Sequence, residues 1–231
     1  MKIILPVIFI LIFSLSAHAE PAENFGLTGI EQNTIRNGEL VYRKKEIKGT
    51  PWPEITVFGI IKATALESTA VFYAYHEHKE FLPDLLSSVP VRYISPTDLH
   101  IKFEMKVPWP LRNSRYITGN RFSTYGDGGY RIEWYNVTSS SSKDTNGAVT
   151  FLPYEQRTMF IYRTFIHPKS KLAGLFKKRM LKEVLISVRA IISRIESVKN
   201  NNKEKMPGYI TAVNSSLNGE YIYKGIQGAG D

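Results

Sequence analysis

Residues 170–198 read SKLAGLFKKRMLKEVLISVRAIISRIESV, and this stretch decides the fold. At about 100° per residue, Phe176, Met180, Leu181, Val184, Val188, Ile191, Ile192, Ile195 and Val198 fall within roughly half of a helix circumference. Lys178, Arg179, Lys182, Arg189 and Glu196 fall on the other half. Pro168 precedes the stretch, Ser170 suits an N-cap, and Asn200-Asn201-Asn202 ends it. The spacing predicts a helix more than about 40 Å long at about 1.5 Å per residue, apolar on one side only. Such a helix needs a surface to lie on. Its periodicity fits a lid over a solid core as well as it fits a lid over a cavity.

The preceding chain supplies the surface. Strand-like runs fall at 39–47, 55–63, 89–94, 99–107, 115–125, 130–137, 148–153 and 158–166, with a helix over 66–81. The run at 99–107 is the clearest, because Leu99, Ile101, Phe103, Met105 and Val107 alternate with His100, Lys102, Glu104 and Lys106. Gly126-Asp127-Gly128-Gly129 is a hairpin turn, and 139–147 reads as an exposed polar loop. The run at 158–166 is apolar on both faces, so its inward side stays open. Residues 20–37 read as a flexible lead-in and 199–231 as a mobile polar tail with two short strand-like runs. Strands joined by hairpins and closed by one long helix give an α+β class, a curved antiparallel sheet wrapped around its last helix.

The leader over 1–19 has the form of a secretory signal: Lys2, an apolar stretch from Ile3 to Ser16, then Ala17-His18-Ala19 as a cleavage site. The 231-residue chain contains no cysteine, which excludes disulfides, thiol catalysis and thiolate metal sites. With secretion and a cysteine-free core, the expected location is a bacterial periplasm. A net charge of +9 suits an anionic surface, while export argues against nucleic acid.

Five groups of residues spread over 38–198 together resemble a known family. They are Trp52-Pro53-Glu54 leading into Gly59-Ile60-Ile61-Lys62-Ala63; Val71-Phe72 with Phe81-Leu82-Pro83-Asp84-Leu85; Val107-Pro108-Trp109-Pro110-Leu111 followed by Asn113-Ser114-Arg115-Tyr116; Tyr130-Arg131-Ile132-Glu133-Trp134; and Tyr162 before His167-Pro168. The chain resembles the START-like, or SRPBCC, superfamily of helix-grip domains. The family pattern commonly has an acidic residue on each side of the arginine, where this chain has Ser114 and Tyr116. The resemblance implies an internal apolar cavity between sheet and C-terminal helix. It also implies a hydrophobic or lipid-like ligand, with cyclase or hydrolase activity in some members.

On that frame, the expected cavity lining is Phe103, Met105, Ile132 and Trp134 from strands and Met180, Val184, Val188 and Ile191 from the helix. Arg163, in the middle of an apolar strand, is a candidate for a lipid headgroup if it faces inward and an ordinary surface arginine if it faces outward. The start of the long helix carries Lys171, Lys177, Lys178 and Lys182 without an acid, where the helix dipole favours acids. These four are candidates for docking on an anionic membrane. His76-Glu77-His78 cannot hold one metal ion on a helix, since i and i+2 point about 200° apart, and it reads as a solvated face. No nucleophile elbow or phosphate loop occurs, and no metal and no cofactor are expected. The leading expectation is a monomeric periplasmic carrier of a hydrophobic ligand. An enzyme acting on a hydrophobic substrate and an envelope module with a closed core are the alternatives.

Overall fold

The computed structural model describes residues 25–107 and 112–221, and of Lys171 the backbone only. The expected leader, the Pro108-Trp109-Pro110-Leu111 turn and most of the run at 221–226 lie outside the described residues.

One eight-stranded, curved, wholly antiparallel sheet organises the chain. Its strands are β1 (Val41–Lys45), β2 (Glu54–Ile61), β3 (Leu85–Ser95), β4 (Asp98–Met105), β5 (Ser114–Tyr125), β6 (Gly129–Ser139), β7 (Ser142–Tyr154) and β8 (Arg157–Pro168). Their spatial order is β1-β2-β8-β7-β6-β5-β4-β3, so each strand from β3 to β8 pairs with its sequence neighbour and β2 closes onto β8. The β5–β6 hairpin turns on Gly126 and Gly128, at φ of +60° and +68°, where a side chain would be strained.

Helix α2 (Ala65–Tyr73) fills the concave side at one end. Seven of its nine residues are buried, because the sheet and two later helices surround it. A capping box starts it: Thr64 Oγ1 accepts from the Glu67 N–H, and Glu67 Oε2 accepts from the Thr64 N–H at 2.8 Å. Helix α4 (Lys177–Asn201) is the long helix that the periodicity predicts, entered through a 3-10 turn at Lys171–Phe176. Val188, Ile191, Ile195 and Val198 are buried along its inner stripe. It approaches β2 at Gly59, where a Cβ would come within 2.8 Å of Leu40 and 3.2 Å of Ile192.

Three expectations need correction. The lead-in is ordered from Thr28, which caps α1 (Gly29–Arg36) through a second capping box with Glu31. Ile35 and Leu27 then cover Phe58, Ile60 and Met159 on the convex face. The polar loop at 139–147 is largely strand: β7 starts at Ser142 and pairs with β8 throughout. The polar tail is a helix where a strand was expected. Met206–Leu217 forms α5, whose Met206, Tyr209, Val213 and Ser216 recur at helical spacing and pack on α2. Thus the folded unit extends beyond 38–198 at both ends.

The short helix α3 (His78–Phe81) corrects a fourth reading. His76 is exposed, but His78 is buried against Phe72, Tyr75 and Phe81 rather than solvated. Its Nε2 lies 2.7 Å from the Phe72 carbonyl oxygen, which fixes that nitrogen as the donor of a neutral ring. Burial pushes its pKa down to about 4, against the opposing pull of that carbonyl. Between the histidines, Glu77 turns outward from this core to meet Arg194 at 2.5 Å and the Tyr209 hydroxyl at 2.6 Å. Burial opposes its ionisation, but these two partners outweigh burial and hold its pKa below the usual carboxylate range.

Candidate ligand site between sheet and helix

Strand parity decides which side chains face α4. In β4, Leu99, Ile101 and Phe103 belong to the core under the helix, while Lys102 is exposed. In β6, Ile132 and Trp134 point the same way, and in β8 so do Phe160 and Tyr162. The helix contributes Val188 and Ile191, fully buried, and Met180 and Val184, half-buried beside Leu181 and Leu185. Eight of the nine expected ligand residues therefore lie on the elements expected to face one another. Seven of them belong to or pack against one core cluster, while Met105 sits at the partly exposed end of β4.

Arg163 is the ninth, and its placement is a correction. The convex face of β8 carries Met159 and Ile161, and Arg163 has the same parity. Its Nη1 lies 2.8 Å from Glu54 Oε2, an ion pair on the outer side of β2 and β8. Both faces of β8 are apolar because both are covered, one by α2 and α4 and the other by the segment around α1. An apolar run of that kind leaves parity unspecified, and Arg163 takes the outer parity.

Sequence reading missed a set of aromatic and polar groups on the concave side. Tyr116 of β5 stacks on Phe103 with ring centroids 5.2 Å apart. Tyr162 of β8 packs on Trp134 at 5.3 Å and stacks on Phe160 at 6.2 Å. The Trp134 indole lies over Gly147 of β7, the residue that pairs with it. Thr118 and Asn120, of the same parity as Tyr116, are buried, and the Asn120 amide donates to the Thr118 carbonyl and hydroxyl at 3.0 Å. A search for apolar positions passes over Tyr116, Thr118 and Asn120, since their strand reads as polar on both faces.

Two properties of the tyrosines bear on the space around them. Both rings retain accessible surface. Yet burial pushes the Tyr162 hydroxyl up to about 12, against a nearby Thr164 hydroxyl, and pushes Tyr116 further still. Protein atoms surround each phenol, yet each residue still presents accessible surface. The apolar residues in the first turns of α4 are likewise half-buried, ahead of its tightly buried second half.

Of the four basic residues at the helix start, Lys178 and Lys182 are exposed on one face, a turn apart. Lys177 reaches Glu46 at 2.7 Å, and the Lys171 side chain lies outside the described residues. No acid stands in the first turn of α4. Immediately before it, Leu172 and Leu175 are 55% and 81% exposed, an apolar pair beside the cations. A separate cleft of about 630 Å³ lies on the opposite flank of α4, with Arg36, Lys62, Arg157, Arg189 and Glu196 on its walls. It includes none of the expected ligand residues. Among the described residues no group of three or more His, Asp or Glu side chains is placed to hold a metal ion.

No family model and no curated protein sequence matches the chain. Solved structures do. A STAR-related lipid transfer protein fragment from Xanthomonas axonopodis superposes with a TM-score of 0.61 at 16% identity, over 68% of this chain and 93% of that one. Human STARD10 gives 0.64 at 10% identity, over 83% and 84%. The Zhui aromatase/cyclase from Streptomyces gives 0.52 at 8%, over 71% and 98%. The chain has the START-like helix-grip fold. At these identities the likeness is one of fold, and fold alone does not fix function.

Proposed function

We propose that this protein binds a hydrophobic, lipid-like molecule between the curved sheet and α4, and exchanges it at an anionic membrane surface in the bacterial periplasm. The observation that carries this reading is the concave face itself. Tyr116, Trp134 and Tyr162 pack against the core cluster that the sheet shares with α4, and yet keep accessible surface. Burying a 16-carbon chain in such a space gains on the order of 10 kcal/mol before ordering costs, at about 0.8 per CH₂. Structural neighbours named for lipid transfer agree with it.

Three features support the setting. The leader ends in Ala17-His18-Ala19, a cleavage pattern for export. Among the described residues no helix is long and apolar enough to cross a membrane. The exposed Leu172 and Leu175 stand next to Lys178 and Lys182, a pairing suited to anionic headgroups with acyl chains beneath. Native mass spectrometry of protein purified from periplasm, followed by organic extraction, tests the reading. One bound hydrophobic molecule per chain is the expected result. Protein carrying none, and taking up none from lipid extract, would rule the reading out in favour of a closed core.

A further inference from the structure

The concave face is aromatic and polar but uncharged, and that combination selects a ligand class. Inward-facing positions of the central strands carry Phe103, Tyr116, Asn120, Trp134 and Tyr162, and among the described residues the one buried titratable nitrogen base on that side is the neutral His78 beside Phe72. Arg163 of β8 pairs outward with Glu54, and Arg115, Arg121 and Arg131 of β5 and β6 pair with Glu104, Asp98 and Glu133. A carboxylate or phosphate placed here would lose its hydration without meeting a cation.

The rings supply flat surfaces from several directions. Phe103 and Tyr116 stack with planes 26° apart, Phe160 and Tyr162 with planes 19° apart, and Trp134 leans on Tyr162 at 37°. They come from β4, β5, β6 and β8, so they wrap the inside of the curve rather than lie in one row. Although β5 and β8 are separated by two strands, Tyr116 and Tyr162 lie close enough for the charge of one to affect the other. Both belong to the concave side of the sheet, where Tyr116 stacks on Phe103 and Tyr162 packs on Trp134. Among the described residues no group hydrogen-bonds the Tyr116 hydroxyl. Tyr116 keeps accessible surface, so an acceptor on a ligand could reach its hydroxyl.

We propose that the ligand is an uncharged molecule with a planar ring system and a hydrogen-bond acceptor such as a ketone oxygen, which the hydroxyls of Tyr116 and Tyr162 recognise as donors. This rests on the ligand-binding reading above and narrows it. Both phenols stay protonated at neutral pH, so they present O–H groups and not negative charge. A carbonyl oxygen has two lone pairs and can accept from both. Apolar area would come from the rings, and discrimination from the two hydroxyls.

Fluorene, 9-fluorenone and fluorene-9-carboxylate form a matched set for the test, equal in ring size and differing in the group at one carbon. Binding of each is measured by equilibrium dialysis at pH 7.5 to the wild-type protein, to Tyr116→Phe, to Tyr162→Phe and to the double variant. Phenylalanine keeps the ring stacking, and circular dichroism melts confirm that each variant folds. In the wild type, fluorenone is expected to bind at least tenfold more tightly than fluorene, and the carboxylate at least tenfold more weakly than fluorenone. The double variant should bind fluorene within about twofold of wild type and lose the preference for the ketone. Equal affinities for fluorene and fluorenone in the wild type, or a preference that survives in the double variant, would overturn the proposal while leaving the ligand space intact. Failure of both neutral compounds to bind a protein that takes up lipid from extract would overturn this proposal alone; a protein that takes up neither would overturn the ligand-binding reading with it.

Discussion

The indole of Trp134 occupies the place that a side chain at Gly147 would take: a Cβ there would lie 2.1 Å from Cζ2 of the ring and 2.3 Å from the Arg163 carbonyl oxygen. Glycine is thus required at this point for two reasons. The indole of β6 and the Arg163 carbonyl of β8 both crowd the place of its missing Cβ. Gly147→Ala should displace both and destabilise the protein by about 1–3 kcal/mol or more, as overpacking does. Chemical denaturation measures the loss, and a shift in tryptophan emission should accompany it.

The outward ion pair makes a contrasting prediction. Arg163 and Glu54 side chains are 34% and 18% exposed, so their pairing is worth about 1 kcal/mol or less. Arg163→Gln should therefore leave ligand uptake unchanged and cost little stability. A large drop in uptake, measured by the same dialysis, would return Arg163 to the site.

His78 sets a pH dependence. Its pKa is about 4 in the fold against 6.5 ordinarily. Below about pH 6.5 the unfolded chain binds a proton that the folded chain refuses, so stability is full above that pH and falls as pH drops toward 4. The total is on the order of 3 kcal/mol, at about 1.4 per pH unit. Melting between pH 7 and 4.5 should show the decline. His78→Gln should start less stable and remove most of the slope. His100, lowered by burial, and the carboxylates Glu67 and Glu77, held low by their partners, add to the decline with the same sign.

Tyr209 ties α5 to the turn before α3. Its hydroxyl donates to Glu77 at 2.6 Å, and the same carboxylate holds Arg194 of α4. Tyr209→Phe removes a hydrogen bond to a charged group and should cost about 1.5–3 kcal/mol. Hydrogen exchange should rise first in α5. A variant with wild-type stability would mean that α5 is held by apolar packing alone.

At the helix start, Lys178→Gln with Lys182→Gln should weaken adsorption to phosphatidylglycerol vesicles by about 1 kcal/mol or less per lysine at low salt. Replacing Leu175, 81% exposed, by Ser should weaken it further without touching the fold. Wild-type protein that ignores such vesicles would show the cluster to be a solvated face.

The long helix and most strands were legible because one face of each is buried and the other wet, so periodicity carries the signal. Where that contrast fails, the sequence is silent. Arg163 sits on a strand with two covered faces, and parity could not be assigned. Tyr116, Thr118 and Asn120 line the inside of a polar-looking strand. The α5 pattern of Met206, Tyr209, Val213 and Ser216 was present, but Gly208 and asparagine-rich flanks masked it. Thr28 with Glu31 also spelled a capping box in a stretch read as lead-in. Ser142 to Asn146 are polar yet strand, since hydrogen bonding to β8 sets their conformation.

The central claim is that space remains between the concave face and the first turns of α4. Val184 is half-buried there, whereas Val188 one turn on is fully buried. The direct test is ligand uptake and stability measured together for Val184→Trp. With open space, the indole fills it: uptake of fluorenone should be lost while unfolding free energy changes by less than about 1 kcal/mol. With a solid core, the same substitution overpacks it, and a loss of about 1–3 kcal/mol in a protein that never bound the ketone would contradict the account.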